Sequence, residues 1–334
     1  MRATMRGRGV LRLALAIVCG LGLLAGPPGV GRPAERKTVK VGMLFGRAPN
    51  PEHVKALEDG LRRHGWVPGG NLVIESRVAD GALERLPALA AELVALRVDA
   101  IVAVAGPETA AARQATRTIP IIFIVHGDPV GSGDVAGLAR PGGNVTGLGQ
   151  MAPEVAAKQL ELLKQIVPKA TRIAVLWNVA NPTKASDWRA VKASAQALGV
   201  ALQSREVRRE ADFAESFAAM RRDRPDALLT LVDPLTLAKR AAIVDFAAAA
   251  RLPAMYPLRT FVDAGGLVSY GAELTDLFRR AARHVDKVLR GTKPADLPVE
   301  QATTFELVIN LRAARAIGLE FPPSLRLRAD QVIE

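Results

Sequence analysis

Residues 99–125 read DAIVAVAGPETAAARQATRTIPIIFIV, and this stretch sets the fold class. Asp99–Ala105 and Ile119–Val125 are short aliphatic runs with almost no polar interruption, the pattern of strands buried on both faces. Between them, from about Pro107 to Arg117, lies a segment of helical length. Strand, helix and strand in so few residues form the βαβ unit of a parallel sheet.

The same alternation continues on either side. Upstream, Val39–Phe45 is a strand, and Pro51–His64 a helix opened by Asn50 as N-cap, with Pro51 at its first position and Gly65 at its end. Asn71–Val78 is a second strand. Leu83, Leu86, Leu89, Leu93 and Leu96 then recur at helical spacing. Downstream of a turn-rich segment, Gly127–Thr146, helices are expected over Pro153–Ile166, Ala185–Leu198, Ala211–Arg222, Leu235–Arg251 and Leu274–Leu289. Strands are expected over Arg172–Trp177, Ala201–Val207, Ala227–Val232, Ala254–Tyr256 and Leu267–Tyr270. Two βα series meeting near residue 150 predict an α/β protein of two doubly wound parallel-sheet lobes. In such sheets a ligand sits beyond the carboxyl ends of the strands, near helix N-termini. The loops to inspect are therefore Phe45–Asn50, Ala105–Thr109, His126–Ser132, Trp177–Lys184, Asp233–Thr236, Tyr256–Arg259 and Tyr270–Thr275.

Composition agrees with this class. At 334 residues, 49% hydrophobic and 4% aromatic, the chain must build its cores from Ala, Val, Leu and Ile. Its net charge of +12 invites a nucleic-acid reading, but Arg2, Arg6, Arg8, Arg12 and Arg32 fall in residues 1–34, which carry no acid, so +12 less five leaves +7 for the rest. The remaining basic residues are dispersed, with doublets such as Arg62-Arg63 and Arg279-Arg280 and no long basic run. No nucleic-acid partner is expected. The N-terminal arginines precede an apolar run, Leu13–Ala25, and the turn-forming Gly26-Pro27-Pro28. That order describes a secretory signal peptide, assigned to residues 1–34, and a periplasmic destination. Cys19, the only cysteine, lies inside the apolar run behind Val18, where a lipoprotein would want a small residue. Neither a lipid anchor nor a disulfide is expected.

Catalytic signatures are missing. The chain has no GxxxxGK[ST] loop and no GxSxG elbow. Gly131-Ser-Gly133 only approximates a dinucleotide fingerprint and does not follow a first strand. His53, His64, His126 and His284 show no metal-ligand spacing. No catalytic residue, metal or cofactor is expected.

At the selected loops the sequence becomes recognisable. Ile119-Pro-Ile-Ile-Phe-Ile-Val-His-Gly-Asp128-Pro129-Val, then Leu138-Ala-Arg-Pro141-Gly-Gly-Asn144-Val-Thr146-Gly147, resembles the ABC transporter substrate-binding protein family, whose members include tryptophan and tyrosine uptake proteins. Asn181-Pro182, Gly265-Gly-Leu-Val-Ser269-Tyr270-Gly271, Gly291-Thr-Lys-Pro294-Ala-Asp-Leu-Pro298-Val and Phe305-Glu-Leu-Val-Ile-Asn310-Leu are similar to the same family. The similarity runs from about Lys37 to Glu334. It implies a periplasmic-binding-protein-like fold of the first type, with three crossings between hinged lobes. Lobe one would hold residues 37–150 plus about 274–300, and lobe two 151–273 plus about 301–334. It also implies a small-molecule solute, a partner permease and its ATPase, membrane contact only through the permease, and a monomer.

Because closure is stabilised only by contacts both lobes make with the ligand, the site must draw on both sides of residue 150. The candidates are Thr109, Asp128, Asn144, Thr146, Trp177, Asn178, Asn181, Asp233, Tyr256 and Tyr270. Each has a plainer alternative. Asp128 also suits a turn cap, Asn144 and Thr146 a Pro-Gly-Gly turn, Thr109 a helix cap, and Trp177, with Trp188, core packing. Glu108 stands where the family usually has a small or neutral residue, which weakens a carboxylate-binding role for the amides beside Thr109. The expected function is solute capture for an ABC importer, an amino acid being the first guess for the solute. A sensor of the same fold, or an enzyme on a similar core, is the alternative.

Overall fold

A computed structural model describes residues 38–334, so the expected signal segment lies outside the described residues. In chain order the elements are β1 (Val39–Phe45), α1 (Pro51–Arg63), β2 (Leu72–Val78), α2 (Leu86–Ala95), β3 (Ala100–Val104), α3 (Gly106–Ala115), β4 (Ile121–His126), β5 (Val145–Gly149), α4 (Ala152–Ile166), β6 (Arg172–Asn178), α5 (Lys184–Leu198), β7 (Ala201–Val207) and α6 (Asp212–Asp223). There follow β8 (Ala227–Thr230), α7 (Pro234–Ala238), α8 (Arg240–Ala249), β9 (Ala254–Tyr256), α9 (Arg259–Asp263), β10 (Val268–Ala272), α10 (Leu274–Leu289), β11 (Glu300–Gln301), β12 (Phe305–Asn310), α11 (Leu311–Ile317), α12 (Pro323–Arg328) and β13 (Gln331–Ile333).

The strands make two sheets, ordered β11-β5-β4-β3-β1-β2 and β13-β12-β10-β9-β8-β6-β7. Each contains one doubly wound order, 2-1-3-4-5 in the first and 7-6-8-9-10 in the second. The two lobes therefore share a topology. In each, strand order reverses beside the first strand of the series, and the loops leaving β1 and β3, or β6 and β8, splay apart there to leave a crevice.

Aliphatic runs form these strands because both faces of each sheet are covered. Along β3 and β4, Val102, Ile122 and Ile124 join one buried cluster. Ile101, Ala103, Ile121 and Phe123 join the cluster on the opposite face. In the second lobe Ile173, Val175 and Trp177 face one core, while Ala174 and Leu176 face the other. At Gly147 the strands run too close for a side chain, since a Cβ there would collide with the Phe123 backbone.

The chain passes between the sheets three times. It leaves β5 for α4 and the second sheet. It returns in α10, which packs on α1 and β4, and after β11 it crosses back into β12. Helix α10 buries Leu277, Phe278, Val285 and Val288 at helical spacing. Their removal from water contributes on the order of 10 kcal/mol as an upper bound. Gly60 lets α1 approach, because a Cβ there would lie 2.5 Å from Ala282 Cβ. Trp66 Nε1 then ties the loop after α1 to Asp286 Oδ1 at 2.8 Å.

Three local differences from the sequence reading have physical causes. The turn-rich segment ends in a buried strand, β5, whose glycines hid it. The single helix expected over Leu235–Arg251 breaks at Lys239, at φ −96° and ψ 16°. Thr236 Oγ1 donates to Leu231 O and Asp233 O, pinning α7 as a separate turn. The second sheet is not wholly parallel, since β12 runs antiparallel to β10. It arrives from the other lobe rather than through a βα crossover, so the parallel constraint does not apply to it.

Candidate ligand-binding cleft

At the facing crevices lies a cavity of about 450 Å³, within the roughly 300–1,000 Å³ range of small-molecule sites. Phe45–Asn50, Val104–Glu108, Val125, Gly127 and Gln150 line it from the strand ends of the first lobe, with His53, Leu274 and Phe278 from α1 and α10. Asn181, Thr183, Lys184, Val232–Pro234, Leu237, Arg240, Leu258 and Thr260 line it from the second. A hollow of about 610 Å³ shares Gly106, Pro107, Asn181, Thr183 and Pro234 with it and forms its outer mouth. Another, of about 470 Å³, lies wholly against second-lobe residues such as Val244, Tyr256 and Ala313. Its walls do not come from both lobes, so closure cannot report on its contents.

The lobes meet around the central cavity. Arg47 Nη1 donates to Pro234 O at 3.5 Å. Gly106 opens α3 so close to Thr183 that a Cβ there would lie 2.9 Å from Thr183 Cγ2. Lys184 Nζ sits 3.4 Å from where a Cβ on Gly127 would be. Backbone strain collects at the same place. Ala105 has φ 87° and ψ 178°, and Val125 has φ 62°. Only glycine adopts the first of these conformations readily.

The second-lobe wall is organised by Asp233. Its carboxylate accepts from Asn178 Nδ2 at 3.0 Å and Asn181 Nδ2 at 2.8 Å. It also caps α7 through Leu235 N at 2.8 Å. The amide oxygens are used as well: Asn178 Oδ1 accepts from Ala180 N, and Asn181 Oδ1 from Thr183 N and Oγ1. Beside them Lys184 pairs with Asp187 at 2.6 Å, both buried. Burial pushes the Asp187 carboxyl up, and the Lys184 charge offsets only part of that.

The first-lobe wall centres on Glu108. It is 2% exposed, and its Oε2 has no hydrogen-bond partner among the described residues. Burial pushes its carboxyl up to about 8, against the pull of the Glu108 and Gly46 backbone amides and with a further push from Asp233. Nearby, His53 stacks on Phe278 with ring centroids 5.0 Å apart, and burial holds its imidazole below the ordinary range. Burial, then the Arg240 charge, hold the Arg47 guanidinium below its ordinary value. The cavity therefore combines an aromatic wall with charges of both signs.

Of the residues singled out on the sequence, Asn181 and Asp233 line this cavity, while Asn178 stands behind Asp233 and faces the outer mouth. The other candidates point elsewhere. Thr109 is fully buried and its Oγ1 donates back to Ala105 O at 2.7 Å, inside its own helix. Asp128 accepts from Gly131 N in a local turn. Asn144 donates to Ile119 O at 2.8 Å at the amino end of β5, a strand length of roughly 15 Å from the cleft. Thr146 is inside the first lobe, donating to Leu297 O at 2.6 Å. Trp177 stacks on Trp188 at 5.4 Å and donates to Ser204 Oγ. Tyr256 stacks on Phe261 at 5.1 Å within the second-lobe core. Tyr270 stacks on Phe305 at 5.9 Å and packs against the opposite face of that lobe.

Arg47, His53, Glu108, Lys184, Arg240 and Phe278 were not singled out as contacts. The first, third and fourth fall within loops flagged on the sequence. Only the rotation of each loop decides which of its side chains faces inward. Among the described residues no group of three or more His, Cys, Asp or Glu is placed to hold a metal ion, and no helix is long and apolar enough to cross a membrane.

The model of the family described as ABC transporter substrate binding protein matches residues 47–333. The chain belongs to this family. A tyrosine-binding protein of Clostridioides difficile (strain R20291) is 26% identical over 279 residues, spanning 84% of this substrate-binding protein and 77% of the relative. A conserved domain protein of Vibrio cholerae superposes with a TM-score of 0.84 at 29% identity, covering 89% of this chain and 100% of that one. An ABC domain from Streptococcus pneumonia in complex with L-Trp superposes with a TM-score of 0.83 at 28% identity, again covering 89% and 100%. This substrate-binding protein is thus an extracytoplasmic solute-capture component of an ABC importer, with a small-molecule ligand and transporter subunits as partners. Its family binds solutes rather than transforming them.

Proposed function

We propose that this substrate-binding protein captures an amino acid or closely related amphipathic metabolite, with an aromatic side chain as the first choice. It acts as a periplasmic monomer exported by its N-terminal signal peptide, performs no catalysis, and delivers the solute to a permease driven by an ATPase. One observation carries this reading. The inter-lobe cavity, about 450 Å³, places the Phe45, His53 and Phe278 rings beside Arg47, Arg240, Glu108 and Asp233. Rings accept an aromatic body, and charges of both signs accept a zwitterion. The tyrosine-binding relative and the L-Trp complex support the same solute class.

Closure would hinge at the three crossings, near residues 150, 273 and 302. Residues 37–150 with about 274–300 would move against 151–273 with about 301–334. Asn181 and Asp233 would contact the solute. Thermal unfolding with each amino acid in turn tests the proposal. A solute at a hundred times its Kd adds about 2.7 kcal/mol, which raises Tm by several degrees for a protein of this size. No shift with any amino acid or related metabolite, alongside turnover of one of them, overturns it.

A further inference from the structure

We infer that Glu108 makes the start of α3 a cation-recognition point, so that the solute presents an ammonium or other cationic nitrogen there and never a carboxylate. The inference rests on the solute class proposed above and specifies which end of that solute meets the first lobe.

A helix N-terminus facing a cleft ordinarily offers free amides to an anion. In α3 that offer is withdrawn. Pro107 has no N–H, and the Glu108 carboxylate turns back toward its own amide and that of Gly46. A Cβ on Gly46 would collide with Glu108 Oε1, so the fit is close. A solute carboxylate placed at this point would find those amides already taken by Glu108 and, above about pH 8, a second carboxylate beside it. Meanwhile Glu108 lines the cavity, and its Oε2 is buried without a partner among the described residues. Ionised with no donor on that oxygen, the buried carboxylate is destabilised, so the empty site keeps its proton until a cation arrives. An ammonium supplies both the donor and the opposite charge.

The charged and titratable groups that share the cavity are Arg47 after β1, His53 on α1, Lys184 on α5, Asp233 ahead of α7 and Arg240 on α8. Asp233 reinforces a cation. Lys184 is engaged by Asp187. Arg47 and Arg240 remain for the carboxylate of a zwitterion. With the empty-site carboxyl near 8, docking of a cation expels the Glu108 proton to solvent. Below pH 8 each binding event then releases up to one proton. Affinity rises with pH by up to about tenfold per unit and levels off above 8.

The test uses six probes with the whole protein: L-tryptophan, tryptamine and indole-3-propionate, and L-tyrosine, tyramine and 3-(4-hydroxyphenyl)propionate. Titration calorimetry between pH 6 and 8, in buffers of different ionisation enthalpy, reads affinity and protons released. Expected is binding of an amino acid with proton release, measurable binding of its amine, and at least about a hundredfold weaker binding of its propionate. Glu108→Gln should lose about 10- to 100-fold in affinity and all the proton release. Circular dichroism reports whether that variant folds; if it does not, the probe series on the unaltered protein decides. Propionates that bind as well as their amino acids, or binding without proton release, would overturn the role of Glu108 and leave the proposed solute class standing. Failure of all six probes to bind would overturn the aromatic first choice and this inference together.

Discussion

Replacing Asp233 by alanine removes the acceptor that holds three elements of the second lobe. Asp233 is 2% exposed, and its partners Asn178 and Asn181 are 3% and 6% exposed, so water replaces the carboxylate poorly. The substitution leaves two buried amide donors without their acceptor, each costing about 1–3 kcal/mol. It also uncaps α7, at about 1 kcal/mol. The expected loss is about 4 kcal/mol of second-lobe stability. Asp233→Asn keeps the shape and one acceptor but sets an Nδ2 against a neighbouring Nδ2, and should lose about 2 kcal/mol. Urea denaturation followed by tryptophan fluorescence isolates the effect. Trp177 and Trp188 both lie in the second lobe, and Trp66→Phe removes the first-lobe signal. Asn178→Ala should then cost less in the Asp233→Ala background, by about 1–2 kcal/mol of coupling. A loss under about 1 kcal/mol, or no coupling, would refute the claim that the carboxylate organises this wall.

Two further outcomes follow from the same cavity. Glu108 has a folded-state value of about 8 against an ordinary 4.5, so between those values the empty folded protein binds more protons than the unfolded chain, and its stability falls as pH rises. Glu108→Gln should therefore be near neutral at pH 5 and increasingly stabilising toward pH 8, by up to about 1.4 kcal/mol per unit; parallel stability curves for the two proteins would contradict this. Gly106→Val should wedge α3 against Thr183, with about 1–3 kcal/mol of overpacking where the lobes meet. Affinity for whichever solute shifts Tm should drop about 10- to 100-fold, and unchanged affinity would place the closure contact elsewhere.

Much of the architecture is written locally. Runs such as Ile121–Val125 have no polar residue to expose, so they form strands only where helices cover both faces. Asn50 and Pro51 mark the start of α1, and the structure bears this out, with Asn50 Oδ1 accepting from Glu52 N at 2.9 Å. Once strands alternate with helices at that spacing, a parallel α/β layering is the arrangement that buries every run. The carboxyl ends of the strands then select the loops that can meet a ligand.

What the sequence cannot state is which side chain of each loop turns inward. A half-exposed strand announces its phase by alternating polar and apolar residues, but a strand buried on both faces does not. Trp177, Tyr256 and Tyr270 sit at promising strand ends, yet each falls on a core-facing phase. Glu108 and Thr109 are adjacent on one helix, about 100° apart around its axis, and that rotation separates Glu108, which lines the cleft, from Thr109, whose hydroxyl turns back onto Ala105. Local pattern determined the two lobes and where they would meet. The meeting itself, with Arg47 reaching Pro234 and Asp233 set near Glu108, depended on packing between residues more than a hundred positions apart, which no local signal encodes.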